Sequence, residues 1–448
     1  MTELLPVMPR YETYKDSGMA WIGEIPKSWV LIRGSYIFKI INKRSKNGNE
    51  ALLTVSEHHG VKLRAESNVN MFMAESYVGY KICYPGDLVI NSLWAWSRGL
   101  GFSNIHGIVS TAYSVFRPDT FKYDKSFLNY LLRTKKYVDQ YFIASKGIWI
   151  SRLQLSDSAF LKIPILSPPI SEQTTIAKFL DCKTAKIDQA VAIKEKQIQL
   201  LKERKQILIQ TAVTKGLDPN VPMADSGVER IGQIPAHWKV KRLRFIGQTQ
   251  NGISAGADYF GSGYPFVSYS DVYNNRELPR SVKGLATSSI NDQIHYSVEK
   301  GDVLFTRTSE TIEEIGFSSA CMETIPNSTF AGFLIRFRPK PGILEPGYSK
   351  YYFCANMQRA YFVGKMNIVI RASLSQELLK NLPVLLPPKK EQKSIYAHIE
   401  NQSAKIDKAI EIQAQMIEKL KEYKATLINA AVTGKIKVPD PAESKVVA

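Results

Sequence analysis

AKIDQAVAIKEKQIQLLKERKQILIQTAV occupies residues 185–213, and AKIDKAIEIQAQMIEKLKEYKATLINAAV occupies residues 404–432. Both segments repeat apolar residues at alternating steps of four and three, the heptad pattern of a helix that packs along another helix. Polar residues interrupt the stripe at matching places in the two segments. The matched stripes predict that the two helices pair with each other. The stripe residues are Ile187, Val191, Ile198, Leu201 and Leu208 in the first segment and Ile406, Ile410, Ile417, Leu420 and Leu427 in the second.

Each segment belongs to a longer helical stretch with clear boundaries. After the double prolines at 168–169 and 387–388, more than forty residues follow without glycine or proline. Gly216 and Gly434 stand at the far ends, where glycine commonly ends a helix. We predict one long helix over 169–217 and another over 387–438, paired as an antiparallel coiled coil whose stripe is about 39 Å long. Two unrelated surface helices, or helices that bundle with a partner protein, are the alternatives.

These helices are the most regular part of a duplication that covers nearly the whole chain. WIGEIPKSWV, from residue 21, matches RIGQIPAHWKV, from residue 230, at an offset of 209. Gly86-Asp87 matches Gly301-Asp302 at an offset of 215, and residues 167–216 match 386–435 at a constant offset of 219. The offset therefore grows only ahead of the helices. We predict a tail over 1–17, variable domains over 18–168 and 218–386, each followed by its helix, and a second tail over 439–448.

Composition and charge limit the kind of protein. The 448 residues are 44% hydrophobic and 22% charged, which is typical of a folded globular protein with more than one domain. Lys and Arg number 59 against 41 Asp and Glu, and the net charge of +18 favours a polyanionic partner such as nucleic acid. The four cysteines show no paired spacing, and no run of about 18 apolar residues occurs. We expect a cytoplasmic protein without disulfides, zinc or membrane spans.

The variable domains predict a mixed α and β fold. Short β-branched and aromatic runs are separated by Gly, Asn, Pro and Asp turns, and two segments in the domains, over 126–142 and 346–363, are helical in pattern. Side chains suited to phosphates, base edges or base stacking lie among the predicted strands. Each could equally be a core tryptophan or a solvated arginine. The candidate DNA-binding residues are Trp94, Ser97, Arg98, Lys146, Trp149 and Arg152 in the first domain and Arg307, Thr308, Ser309, Lys365, Asn367 and Arg371 in the second.

No catalytic, cofactor or metal pattern accompanies these residues. Gly434-Lys435 lacks the upstream glycine and loop of a phosphate-binding P-loop. The glycines of 252–263 lack the surrounding βαβ unit of a dinucleotide site, and His58-His59 lacks a third zinc ligand at suitable spacing. The sequence therefore favours a binding protein over an enzyme.

In this order and twice over, the motifs resemble the DNA-specificity subunit of type I restriction-modification systems. The resemblance runs from about Gly18 to about Val438. It is carried by IGEIPKSW and IGQIPAHW, by GLGFSNIHGIVSTAYSVFRP with its weaker counterpart before 339, by IPILSPPISEQ and LPVLLPPKKEQ, and by the two AKID helices. The second copy departs at AHIENQ, where the first has KFLDCK.

The resemblance implies two target-recognition domains, each followed by a long helix, and an antiparallel spacer formed by the two helices. It implies that each domain reads one half of a bipartite, asymmetric site in double-stranded DNA, and that the helix pair sets the gap. It further implies two modification subunits that carry S-adenosylmethionine, two restriction subunits that use ATP and Mg²⁺, and no cofactor on this chain. An unrecognised nuclease or methyltransferase, and an RNA-binding or assembly scaffold protein, are the competing functions.

Overall fold

The computed structural model describes residues 8–57, 60–67, 74–149, 153–228, 231–309, 315–365 and 372–439. The chain divides into two compact units, unit 1 (Met1–Glu195 with Gln415–Ala448) and unit 2 (Lys196–Ala414). Each unit combines a mixed α and β domain with parts of both long helices, so the predicted fold class is confirmed. No helix in the described ranges has the length and apolar character that crossing a bilayer requires.

The domain of unit 1 consists of short strands and short helices, and most of its helices follow the strands of the central sheet along the chain. Its helices are α1 (Gly34–Ile37), α2 (Lys125–Leu132), α3 (Lys135–Ala144) and α4 (Asp157–Lys162), and the first long helix is α5 (Ile170–Lys215). Its strands are β1 (Tyr14–Asp16), β2 (Glu24–Pro26), β3 (Val30–Arg33), β4 (Phe38–Ile40), β5 (Leu53–Ser56), β6 (Gly60–Leu63), β7 (Lys81–Cys83), β8 (Leu88–Asn91), β9 (Leu100–Phe102), β10 (Gly107–Val109), β11 (Tyr113–Pro118) and β12 (Pro164–Ser167).

The domain of unit 2 follows the same order with extra elements after its fourth strand. Its helices are α6 (Leu243–Ile246), α7 (Tyr269–Tyr273), α8 (Ile290–His295), α9 (Pro346–Tyr352), α10 (Asn356–Lys365) and α11 (Gln376–Lys380), and the second long helix is α12 (Lys389–Val432). Its strands are β13 (Met223–Asp225), β14 (Gln233–Pro235), β15 (Lys239–Arg242), β16 (Gly247–Asn251), β17 (Phe260–Val267), β18 (Leu285–Ala286), β19 (Val303–Thr306), β20 (Thr308–Ser309), β21 (Ser318–Ala320), β22 (Thr329–Phe330), β23 (Leu334–Pro339), β24 (Ala372–Ser373) and β25 (Pro383–Leu386).

A four-stranded antiparallel sheet forms the centre of each domain. The strand order is β4-β11-β8-β9 in unit 1 and β16-β23-β19-β21 in unit 2. The strand that follows the repeated Gly-Asp pair, β8 or β19, lies inside its sheet and is almost entirely buried. Its run of Val, Leu, Ile and Phe suits a strand covered on both faces.

The repeated Gly-Asp pair contributes a buried carboxylate to each sheet. Asp87 accepts two hydrogen bonds from the Arg117 guanidinium, at 2.7 and 2.9 Å, and Asp302 accepts two from Arg338, both at 2.7 Å. Each aspartate is 1% exposed and also accepts a backbone N–H three residues earlier. Arg117 and Arg338 are the central residues of the two Phe-Arg-Pro sequences that end β11 and β23. The duplication therefore retains both the aspartate and the arginine that pairs with it. A two-point pair of this kind fixes the neighbouring strands relative to each other.

Within each unit the two long helices run antiparallel. In unit 1 the carboxylate of Asp188 accepts from the Lys424 ammonium at 2.6 Å, and in unit 2 Asp407 accepts from Lys205 at the same distance. The offset of 219 converts one pair into the other, so the two ion pairs are copies. The ten stripe residues are buried or half-buried, and most of their immediate helix neighbours are exposed. The two lysines that interrupt the predicted stripe, Lys205 and Lys424, therefore bridge the helices.

The repeated phrase at the start of each domain lies against a helix end. In unit 1 the Trp29 ring and Pro26 lie beside Gly434, just beyond α12, and in unit 2 Trp238 and Pro235 lie beside Gly216, just beyond α5. Both glycines have φ near +70°, a conformation that favours glycine at the end of a helix. The phrase therefore closes the end of one long helix in each unit.

A glutamine from each PPxxEQ motif anchors the start of the long helix. Gln173 is fully buried; its Nε2 donates to the Pro168 carbonyl at 2.8 Å and its Oε1 accepts from the Asp124 backbone N–H at 3.0 Å. Gln392 makes the matching bonds to Pro387, at 2.9 Å, and from Glu345, at 2.8 Å. Asp124 is the N-cap of α2, and Glu345 that of α9. Each long helix is thereby tied to the start of a domain helix, α2 in unit 1 and α9 in unit 2.

Candidate nucleic-acid interface

The candidate residues lie where β8 and β19 end. In unit 1 the Ser92 carbonyl, just beyond β8, accepts from the Leu155 backbone N–H at 2.9 Å. In unit 2 the Arg307 carbonyl, just beyond β19, accepts from Leu374 at 2.7 Å. Each bond joins the loop after the strand to the segment that follows α3 in unit 1 and α10 in unit 2. In unit 1 the structure therefore joins the segment that carries Lys146 and Trp149 to the loop that carries Trp94 and Ser97. In unit 2 it joins β24 to Arg307, and the candidates just before β24 lie outside the described residues.

In unit 1 the first of these loops presents two stacked tryptophans. Their rings lie 5.6 Å apart between centroids at an interplanar angle of 22°, and Trp94 is 54% exposed. The indole N–H of Trp96 donates to the Leu93 carbonyl at 2.9 Å, which fixes the pair. Trp94 flanks a 3₁₀ turn over Ala95–Ser97, and Trp96 lies within it. The exposed Trp94 indole, stacked on the half-buried Trp96, is suited to contact a nucleobase.

Arg98 ends this turn in a left-handed conformation, with φ of 58°. Its backbone N–H donates to the Ala95 carbonyl at 3.2 Å, and its side chain is half-buried. Arg133 lies nearby and donates to the carbonyls of Leu100 and Glu57. Burial lowers the pKa of the Arg133 guanidinium, and the positive charge of Arg98 lowers it further. Two neighbouring guanidiniums make this end of the domain electropositive.

Trp94 and Ser97 also line a cleft of about 560 Å³ in unit 1. Sequence reasoning missed its other walls, which combine apolar side chains such as Leu52 and Val55 with polar and aromatic ones from separate segments of the chain. The alternation of strands and turns gave no signal of their convergence. The missed residues with polar or aromatic groups include Glu57, Arg64, Tyr77, Tyr80, Asn91 and Tyr113.

The second loop of unit 1 carries Lys146 and Trp149. Both are exposed, Trp149 by 69%, and Lys146 forms a backbone bridge with Gln154 just before the bond to Ser92. Ile148, beside Trp149, is 95% exposed, so the loop tip is apolar as well as basic. Arg152 lies outside the described residues.

In unit 2 the candidate residues follow a short ladder. Thr308 and Ser309 form β20, which pairs with Ala372 and Ser373 of β24, and Thr308 is half-buried. The Arg307 guanidinium makes a long contact of 3.5 Å with the Gly332 carbonyl. Of Ser309 and Lys365 the structure describes only the backbone, and Asn367 and Arg371 lie outside the described residues.

Metal-binding chemistry has no support in the described ranges. Nowhere in them do three or more His, Cys, Asp or Glu side chains come together as ligands. His58 and His59 lie outside these ranges.

Comparison with known proteins identifies the family. The type I restriction modification DNA specificity domain matches residues 235–422. The EcoKI specificity subunit of Escherichia coli is 25% identical over 409 residues, which cover 86% of this chain and 84% of that protein. The chain is therefore similar, over most of its length, to the specificity subunits of type I restriction-modification systems. The putative MjaX specificity subunit of Methanocaldococcus jannaschii is 25% identical over 337 residues, 72% of this chain and 71% of that one.

Solved structures share the fold of this chain. The HsdS subunit of Thermoanaerobacter tengcongensis has a TM-score of 0.57 and 17% identity, covering 92% of this chain and 98% of that one. A chain from a structure on complex assembly and conformational transition of the type I system has a TM-score of 0.67 and 16% identity, covering 91% and 98%. The fold and the family predicted from the repeated motifs are thus confirmed.

Proposed function

We propose that this specificity subunit reads a bipartite, asymmetric site in double-stranded DNA. The domain over 18–168 contacts one half-site and the domain over 218–386 the other. The observation that carries this proposal is the pair of loops joined by the same backbone hydrogen bond in both units, Leu155 to Ser92 and Leu374 to Arg307. The backbone arrangement of the loops is the same in both units, and their exposed side chains differ. Two related domains that recognise different DNA sequences need this combination.

The charge of the chain supports duplex DNA as the partner. A net charge of +18 attracts the phosphate backbone, and arginines near the loops can hold phosphate or guanine. Arg98 and the stacked Trp94 are the residues we assign to the first half-site, together with Ser97, Lys146, Trp149 and Arg152. Arg307 and Thr308 are assigned to the second, together with Ser309, Lys365, Asn367 and Arg371.

The subunit itself is non-catalytic in this proposal and acts in the cytoplasm. It binds two modification subunits, which carry S-adenosylmethionine, and two restriction subunits, which use ATP and Mg²⁺. The relatives that support this assignment are named specificity subunits of type I restriction enzymes. The paired helices α5 and α12 set the length of DNA between the half-sites, and their stripe residues hold that spacing.

Changing the helix length tests this arrangement. Seven residues inserted near Ile198 and seven near Ile417 keep the heptad phase and lengthen each helix by about 10 Å, or about three base pairs. Mapping methylated adenines in cells that carry the variant should show the same half-sites with a gap about three base pairs longer. The same insertion after Asp218, in the exposed loop beyond α5, is the control and should leave the gap unchanged. An unchanged gap in the helix variant would refute the spacer role. In a separate binding measurement, equal affinity for RNA and for duplex DNA would favour the alternative of an RNA-binding or assembly scaffold.

A further inference from the structure

Unit 2 contains a second polar cleft that the half-site assignment leaves unused. Its volume is about 380 Å³, and it lies between the loop after α7, the start of β21, the start of α10 and the side of α5. Two arginines line it, Arg276 and Arg359, together with the amides of Asn274, Asn356 and Gln206. No Asp or Glu is among the lining residues that the structure describes. The cleft therefore has a positive charge and several hydrogen-bond donors.

Both arginines have their hydrogen-bonding edges free for an external acceptor. Neither guanidinium makes an ion pair or hydrogen bond in the part of the chain that the structure describes. The Arg359 guanidinium lies over the Phe317 ring, 4.3 Å from its centroid. Stacking on an aromatic face holds the planar group in place and leaves its N–H edge available. The half-buried positions of both arginines limit the freedom that a ligand would have to restrict.

Among the described residues, the carboxylate next to Arg276, that of Glu277, is already paired with the Lys350 ammonium at 3.0 Å. Cys354 lines the cleft, and its thiol donates to the Ser318 carbonyl at 3.1 Å. Burial raises the pKa of the Cys354 thiol, so it is uncharged near neutral pH. In unit 1, by contrast, Arg133 at the end of α2 already donates to two backbone carbonyls. The uncommitted arginines of unit 2 therefore suit an anion that brings several acceptor oxygens.

The cleft lies directly beside the candidate loop of unit 2. Phe317 accepts from the Thr306 backbone N–H at 2.8 Å, and Gly316 donates to the Thr306 carbonyl at 3.3 Å. Thr306 immediately precedes Arg307. The cleft and the loop that carries Arg307 are therefore joined by direct backbone hydrogen bonds, so one ligand as long as a DNA strand could contact both. Gln206, on α5, places the cleft on the side of the domain that faces its own part of the long helix.

We propose that the cleft between α7, β21 and α10 is a sequence-independent site for the phosphodiester backbone of duplex DNA. Arg276 and Arg359 bind phosphate oxygens, and the Asn274, Asn356 and Gln206 amides supply further hydrogen bonds. The inference rests on the proposed function. It adds a contact that increases affinity for any sequence and leaves the choice of bases to the loops.

The test compares two doubly substituted full-length chains, each in complex with its modification subunits. Arg276→Gln with Arg359→Gln removes the two cleft charges. Arg280→Gln with Lys283→Gln removes two exposed charges from the same domain and is the matched control. The probe is a 40-base-pair duplex of random sequence, titrated from about 50 to 300 mM salt. Thermal unfolding checks that both variants fold. A third variant, Arg276→Lys with Arg359→Lys, keeps the two positive charges and so separates loss of charge from loss of the arginine side chains.

Loss of two phosphate contacts should weaken duplex binding about 30-fold at 0.15 M salt, since each contact releases about 0.9 counterion and so contributes about five- to sixfold. The magnitude of the slope of log affinity against log salt should fall by about 1.8. The control and the lysine variant should keep most of the affinity and most of the salt dependence. Equal affinities and slopes in the cleft variant and the control would overturn the inference. Binding of inorganic phosphate or AMP that the cleft variant loses, with duplex binding intact, would overturn it in favour of a small ligand. Failure of the unsubstituted complex to bind any duplex would instead refute the proposed function.

Discussion

The buried pair of Asp302 and Arg338 allows a prediction about stability with a defined size. Replacing Arg338 with Met leaves a carboxylate that is 1% exposed with one remaining backbone donor, from Glu299. Breaking a buried pair in this way costs about 3–5 kcal/mol; because Arg338 is 31% exposed, we expect about 3 kcal/mol. Asp302→Asn should cost about 2 kcal/mol, because Arg338 keeps its contacts with Glu299 and Ser297.

The two substitutions together should cost about 3 kcal/mol, so their coupling energy is about 2 kcal/mol. Urea unfolding gives the free energies, and hydrogen exchange read by mass spectrometry should show the loss of protection in peptides of unit 2. The exposed pair of Arg280 and Glu323 is the control, since its loss should cost less than about 1 kcal/mol. Additive costs for Asp302 and Arg338, or costs no larger than the control, would show that the pair behaves as a surface ion pair.

Two further predictions concern the candidate interface and the thiols. Arg98→Ala should alter the preference for one half-site and Arg307→Ala that for the other, by about 1–3 kcal/mol each if they contact bases; equal effects on both half-sites, measured with single-base variants of the site, would refute one domain per half. Iodoacetamide at pH 8 should label the exposed Cys182 first, because burial raises the pKa of Cys83 to about 11 and that of Cys321 to about 12. At pH 8 about one in a thousand Cys83 groups is ionised, and rapid labelling of Cys83 in peptide maps would contradict the buried position.

The long helices could be predicted from sequence because their signals are local. A heptad stripe, a double proline ahead and a glycine behind identify a long helix without reference to the rest of the chain. The structure begins α5 at Ile170 and α12 at Lys389, close to the predicted starts. The antiparallel direction followed from the long intervening domain. The bounds of the predicted domains and the roles of the stripe residues remain predictions.

The contacts that the repeated residues make could not be predicted without the structure. The sequence shows that Asp87 and Asp302 are repeated, but it does not show which side chain reaches them. Arg117 lies thirty residues from Asp87, and the two meet only because β11 pairs with β8. Gln173 was missed for a similar reason, since its role depends on the backbone of Asp124.

The assignment of DNA contacts to the candidate residues remains a prediction. Residues next to a recognisable strand, such as Trp94 and Arg307, could be selected because their neighbours were repeated. The two clefts could not be predicted, since each is lined by segments that are far apart in the chain and lie in the regions where the two copies differ. Hydrophobic periodicity reports which residues face a core, and it carries no information about which polar side chains converge outside it.

The two copied ion pairs between the long helices imply a history for the molecule. Each half of the chain carries one member of each pair, Asp188 and Lys205 in the first half and Asp407 and Lys424 in the second. Two identical halves could therefore form both bonds with each other, as in an isologous dimer. The chain has the form of such a dimer joined into one polypeptide. A dimer of two identical subunits would read only a palindrome, whereas two joined copies can differ in sequence, so a chain of this form is free to address an asymmetric site.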